Sequence, residues 1–232
     1  MSAWKVCLCA VVLAFSAACA KATIIDSFGG TKFTLSVDGD SIADETDFSQ
    51  VTTAAAIGGH RYTLLTWLSG DQNFASVSPS GGKFSFTQGT AEGDATITWD
   101  GSTSSNVYLL GENLNNEGNE FQINVLGCTN TGVELTMTVY TNASEASTYS
   151  LPVTSIGGLS LPYKDFFKLP TAASEADFSS VGAIVLDING YNHSGSDVTL
   201  GLIQTIPEPS TLALAAIFAV VALCLRRRWR RA

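Results

Sequence analysis

Few residues of this 232-residue chain have the types and spacing that chemistry requires. His60 and His193 are its only histidines, one beside a strand-like run and one in loop-like sequence. Neither a Gly-x-Ser-x-Gly elbow nor a His-Glu-x-x-His helix accompanies them. Carboxylate pairs are the sharper signal, because glycoside hydrolysis places two acids across one bond. Asp38/Asp40, Glu92/Asp94 and Glu117/Glu120 are such pairs, but each sits in turn-rich sequence that any acidic chain offers. The expectation is a protein that is not an enzyme, with an exported carbohydrate-active enzyme using a carboxylate pair as the alternative.

Oxygen-rich and aromatic residues suggest binding instead. Asn113-x-Asn115-x-Glu117-Gly118 follows the opening of a calcium loop, where alternating oxygen ligands precede a glycine turn. Its closing position holds Asn124 rather than a bidentate Glu. Asp38-Gly39-Asp40 with Asp44-Glu45 is a second cluster. A structural calcium is the only cofactor these segments suggest, and no transition metal is indicated. Sugar binding needs exposed rings beside hydrogen-bonding side chains. Trp67 and Trp99 end strand-like runs, and Tyr191 lies in the loop Gly190-Tyr191-Asn192-His193, so these three are the expected carbohydrate contacts.

The elements that must position these residues are strands. Lys83–Thr87, Asp94–Trp99, Phe121–Val125 and Val133–Tyr140 alternate apolar with polar, the period of a half-buried strand. Arg61–Leu68 and Ala183–Ile188 read as more fully buried strands, and Asp197–Gln204 closes the series. Gly58-Gly59, Gly81-Gly82 and Gly157-Gly158 punctuate them, and Asp100-Gly101 and Asn189-Gly190 have the composition of tight hairpin turns. Ten to twelve short strands over residues 23–205 predict an all-β fold, a two-sheet antiparallel sandwich. A body of that length buries a core without staples. It needs none from cysteine, since Cys7, Cys9 and Cys19 fall before it, Cys224 after it, and only Cys128 within it.

Charge is uneven. The chain carries 12 Lys+Arg and 21 Asp+Glu, net -9, yet residues 23–205 hold five basic against 20 acidic side chains. A body this acidic repels phosphate backbones and excludes nucleic acid as a partner. Residues 1–22 read as a secretory signal peptide: a basic start at Lys5, the apolar run Val6–Ala20, and small residues fitting a cut after Ala22 or Ala20. Lipoprotein processing at Cys19 is the rival, with Ser16 standing where a lipobox prefers Leu. Residues 206–232 form the opposite end. Pro207-Glu208-Pro209-Ser210 breaks the chain, Thr211–Leu225 is an apolar helix, and Arg226, Arg227, Arg228, Arg230 and Arg231 form a basic stop. Fifteen helical residues span roughly 22 Å, short of a hydrocarbon core of roughly 30 Å unless arginines snorkel. By the positive-inside rule the arginines stay cytoplasmic and the body faces outward.

This three-part order at the C-terminus resembles the PEP-CTERM sorting signal, a tail that is also catalogued as the C-terminal region of ice-binding proteins. The resemblance implies an exosortase-type membrane enzyme cutting near Pro207-Glu208-Pro209, in a cell that makes exopolysaccharide. Signal peptidase and the general secretion machinery are the other implied partners. It does not imply ice binding, for which regular Thr-rich repeats are missing. The second half of the body, from Tyr163-Lys164-Asp165-Phe166-Phe167 through Asp177–Ile184 to Asp197–Gln204, resembles the end of galactose-binding-like jelly rolls, many of which are carbohydrate-binding modules. Together these imply an inner-membrane-anchored precursor that becomes an envelope or matrix protein, structural or adhesive within exopolysaccharide.

Overall fold

The computed structural model describes residues 22–37, 46–70, 75–102, 108–129, 132–191, 193 and 195–207. Among these residues the fold is two antiparallel sheets packed face to face. The first sheet has the order β11 (Gly157–Pro162), β8 (Glu120–Thr129), β14 (Asp197–Ile206), β6 (Lys83–Gln88), β5 (Ala75–Ser80) and β2 (Leu35–Val37). β1 (Ile24–Asp26) pairs with the far half of β14. The second sheet has the order β12 (Phe167–Lys168), β10 (Glu145–Pro152), β9 (Glu134–Asn142), β13 (Ala183–Asn189), β7 (Ala91–Trp99), β4 (His60–Gly70) and β3 (Thr46–Thr52).

Alternation explains the layering, because successive side chains of a strand point to opposite faces. Phe84, Phe86, Phe121, Ile123, Val125, Val198 and Leu200 of the first sheet are fully buried against Leu65, Ile97, Leu135, Met137, Val139, Ile184, Leu186 and Ile188 of the second. All seven strands read from periodicity are present. The strands that periodicity passes over are mostly edge or short ones, and several carry apolar residues on the outer side, such as Ile24, Phe48 and Phe167, which blurs the alternation. Gly81 and Gly82, at φ 61° and 80°, make the two-residue turn that joins β5 to β6. Both positions need positive φ, which glycine supplies without strain.

Asp100-Gly101 and Asn189-Gly190 do not make hairpins. β7 pairs with β4 and β13, and β13 pairs with β7 and β9, so both turns send the chain across to the other sheet. Local turn composition marks where the chain reverses, whereas core packing decides which strand it meets. The expected signal helix, the anchor Thr211–Leu225 and the arginine stop lie outside the described residues. Among the described residues no helix is long and apolar enough to cross a membrane.

One polar cluster lies inside the sandwich. Asp26 of β1 accepts from Arg61 Nη1 of β4 at 3.0 and 2.8 Å, from Trp99 Nε1 of β7 at 2.9 Å, and from the Phe28 amide at 2.6 Å. Both charged side chains are fully buried. The Arg61 guanidinium lies 5.5 Å from the centroid of Phe28, a residue held at φ 50°. Burial drives the Asp26 carboxyl upward from its ordinary range, opposed by Arg61 and the Trp99 and Phe28 donors. Removing one partner of such a pair strands a buried charge, while replacing both does not. Arg61→Met should therefore cost about 3–5 kcal/mol in denaturant unfolding. Arg61→Met combined with Asp26→Leu should recover only part of that loss, because the buried Trp99 indole and Phe28 amide are then left without their acceptor.

Candidate functional site

The outer face of the second sheet is where polar and aromatic side chains converge. Its register sets Ser150, Thr136, Asp187, Thr96, Leu64 and Phe48 in one row across six strands. The adjacent row is Thr148, Thr138, Val185, Thr98, Tyr62 and Gln50, of which Thr148, Thr138 and Thr98 are buried. At a strand spacing of about 4.8 Å, five steps make a surface roughly 24 Å wide.

Aromatic pairs stand at two places on this face. Phe48, 61% exposed, stacks on Tyr62 with centroids 6.1 Å apart and planes at 28°. Toward the opposite side, Tyr140 of β9 meets Tyr108 at 5.6 Å. Between them the Thr96 hydroxyl donates to Asp187 Oδ1 at 2.7 Å, and the Gly190 amide donates to Asp94 Oδ1 at 2.9 Å. Burial pushes the Asp187 carboxyl upward, the Thr96 hydrogen bond opposes this, and the Asp94 charge adds to it. Asp94 is raised for the same first reason, against the Gly190 amide. Tyr140 is raised by burial and by its neighbours Tyr108 and Asp187. The arrangement offers flat rings for stacking and hydroxyl and carboxyl groups for hydrogen bonding, on a rigid sheet.

The residues expected from sequence fall elsewhere. Trp99 is 0% exposed and its indole nitrogen is spent on Asp26, so it presents no face to a sugar. Strand parity alone places it inward, beside Ile97 and Ala95. Trp67 is only part-exposed, packs against the core, and its Nε1 is buried without a partner. Tyr191 is 52% exposed in the turn after β13. Asn113, Asn115 and Glu117 lie in and around the short 3-10 turn Leu114–Asn116. Asn113 accepts from the Asn116 amide at 3.3 Å as the cap of a short 3-10 turn, and Glu117 accepts from the Thr23 hydroxyl at 2.7 Å. Among the described residues no group of three or more His, Cys, Asp or Glu converges. Asp38, Asp40, Glu208, Pro209, Ser210 and the five tail arginines lie outside the described residues, and Pro207 directly follows β14. Cys128 is a free, half-buried thiol on β8.

Sequence reasoning missed Asp187 and the Phe48–Tyr62 pair. Ala183–Ile188 and Arg61–Leu68 read as buried runs, yet each alternates on closer inspection. Val185 and Asp187, like Tyr62, Leu64 and Thr66, take the outward parity.

Among known families, residues 205–228 match the PEP-CTERM protein-sorting motif. The chain carries a PEP-CTERM tail. No curated protein sequence matches it. Among solved structures, the body is similar to a family 11 carbohydrate-binding module from Clostridium thermocellum in complex with a β-1,3-1,4-mixed-linked tetrasaccharide. The identity is 15%, over 80% of this chain and 96% of that one, with a TM-score of 0.36. CtCBM11 in solution gives 13% identity, 82% and 97% coverage and a TM-score of 0.39. The agarase AgWH50C gives 9%, 69% and 24% coverage, and 0.34. These likenesses are distant and say nothing of what the PEP-CTERM chain binds.

The raised carboxyls make stability pH-dependent with a definite sign. A folded pKa above the unfolded one means that the folded state holds more protons, so stability falls as pH rises through the folded value. Asp187→Asn keeps an acceptor for Thr96 and removes the buried charge. It should raise the melting midpoint at neutral pH and flatten the gain otherwise seen on acidifying toward about pH 4, as followed by thermal melts across pH.

Proposed function

We propose that the chain is an exported, non-enzymatic protein of the cell envelope or extracellular matrix whose sandwich holds a polysaccharide strand. The outer face of the second sheet carries this reading. Phe48–Tyr62 and Tyr108–Tyr140 offer stacking surfaces, and Thr96, Asp94 and Asp187 offer hydrogen bonds between them. A sheet face six strands wide suits an extended ligand better than a compact one. The acidic body suits neutral or hydrated glycans and disfavours nucleic acid.

Delivery is the work of the two ends. The signal peptide takes the chain through the general secretion machinery. The PEP-CTERM tail then holds the precursor at the inner membrane for an exosortase-type enzyme. Prolines cannot continue a helix, so Pro207-Glu208-Pro209 stays extended beside the membrane, as a cutting enzyme requires.

A second reading is kept open by one observation. Asp94 and Asp187 lie on the same outer face, burial pushes both carboxyls upward, and the Asp94 charge adds to the rise at Asp187. A glycosidase uses one carboxyl held protonated by a raised pKa beside a second that stays ionised, and Asp187, raised further by the Asp94 charge, is the candidate acid. Turnover separates the two readings.

A glycan array probed with the body should show binding without release of reducing ends. Tyr62→Ala should weaken that binding about tenfold, the worth of one stacking contact near 1.4 kcal/mol, and leave the melting midpoint close to wild type. Release of reducing ends that Asp187→Asn abolishes would replace binding with catalysis. Replacing Pro207-Glu208-Pro209 by three alanines should leave full-length protein in the inner membrane of a host with the sorting enzyme, as read by fractionation and intact mass. Equal tail loss in both forms would count against the sorting reading.

A further inference from the structure

The two ends of the body meet at one place. β1 and β14 pair antiparallel, with Ile24 opposite Gln204. The Thr205 amide donates to the Thr23 carbonyl at 2.8 Å, and the Thr23 amide donates to Thr205 Oγ1 at 2.8 Å. Glu117 binds both residues: its carbonyl accepts from Thr205 Oγ1 at 3.2 Å, and its carboxylate accepts from Thr23 Oγ1 at 2.7 Å. The Asn119 amide donates to the Ile206 carbonyl at 3.1 Å, and the Asn119 carbonyl accepts from the Tyr163 amide at 2.8 Å. Gly118 lies flat against Ile206. A Cβ there would stand 2.7 Å from the Ile206 carbonyl oxygen and 2.9 Å from its carbon, closer than packing allows.

The matched sorting motif begins at residue 205. Its first two residues, Thr205 and Ile206, are therefore the last two of a paired strand, and Thr205 is 0% exposed. No spacer separates Ile206 from Pro207. Four extended residues, 207–210, reach at most about 14 Å. Whatever grips them works against the end of the sandwich, and a cleft that needs extended chain on the body side must take it from β14.

We propose that Glu117–Asn119 and Thr23 form a clasp that holds the start of the sorting motif in the folded body, and that opening of this clasp limits removal of the tail. The inference rests on the sorting reading above. Local opening at a strand end costs less than global unfolding, so tail removal follows the open fraction of this junction rather than the stability of the whole body. In this arrangement Gly118 and the backbone of Glu117, within the segment that resembles a calcium loop, receive the last strand.

The full-length chain in a host with the sorting enzyme tests this by pulse-chase and intact mass. Three variants are compared with wild type. One carries about eight flexible Gly/Ser residues between Ile206 and Pro207. The second is Gly118→Ala, which presses on Ile206. The third is Thr23→Val, which removes the hydroxyl bond to Glu117. All three should lose the tail severalfold faster. In detergent-solubilised full-length protein, Gly118→Ala and Thr23→Val should lose hydrogen-exchange protection at Thr205 and Asn119 while keeping it in β13. An insert cut no faster than wild type overturns the proposal. So does an insert cut faster while both clasp variants keep the wild-type rate, since plain crowding would then explain it. If Gly118→Ala does not fold, Thr23→Val makes the same comparison. Wild type left uncut in that host would remove the sorting reading itself, a result distinct from either.

Discussion

A buried ion pair governs how the two sheets meet. Asp26 belongs to the first sheet, Arg61 and Trp99 to the second, and the carboxylate is the one point that all three share. Removing two charges from water costs several kcal/mol each, and attraction repays it only with good geometry and further hydrogen bonds. Asp26 has that geometry, with four contacts from three residues. Arg61 does not, since Nε and Nη2 have no partner. The pair therefore contributes more to choosing one arrangement of the sheets than to net stability. Sliding either sheet by one residue would leave a carboxylate or a guanidinium alone in an apolar core. The same constraint holds Phe28 at positive φ, beneath the guanidinium and 5.4 Å from Phe84.

Fixing Asp26 fixes β1, and fixing β1 fixes the exit of the chain. β1 is only three residues long and would be marginal as an edge strand. Its Asp26 anchor and its pairing with β14 place Thr23 against Thr205 and Glu117. The N-terminal start of the body and its C-terminal departure are thus neighbours. The inner polar cluster and the outer junction are two ends of the same short strand.

The second sheet separates core from surface by parity. Ile97, Leu186 and Met137 face inward and fill the core; Thr96, Asp187 and Thr136 lie between them along the same strands and face outward. A change on the outer side leaves the packing beneath it intact.

The sequence by itself determined the strands that are amphipathic, the all-β class, the acidic body and the sorting tail. Each depends on short-range pattern: a period of two, a charge count, or a motif with a fixed order. Tertiary structure alone decided which strands are neighbours, and so that Asp100-Gly101 and Asn189-Gly190 are crossovers. It also decided which rings are free. Trp99 looked like a strand-end ring open to a sugar; parity turns it inward, and its indole nitrogen finds its partner in Asp26, distant in sequence. Phe48 and Tyr62 lie on the adjacent strands β3 and β4 and became a stacked pair through register. Asp187, Asp94 and Thr96 share a face because β13 lies beside β7. These are contacts between residues far apart in the chain, and local pattern carries no information about distance through space.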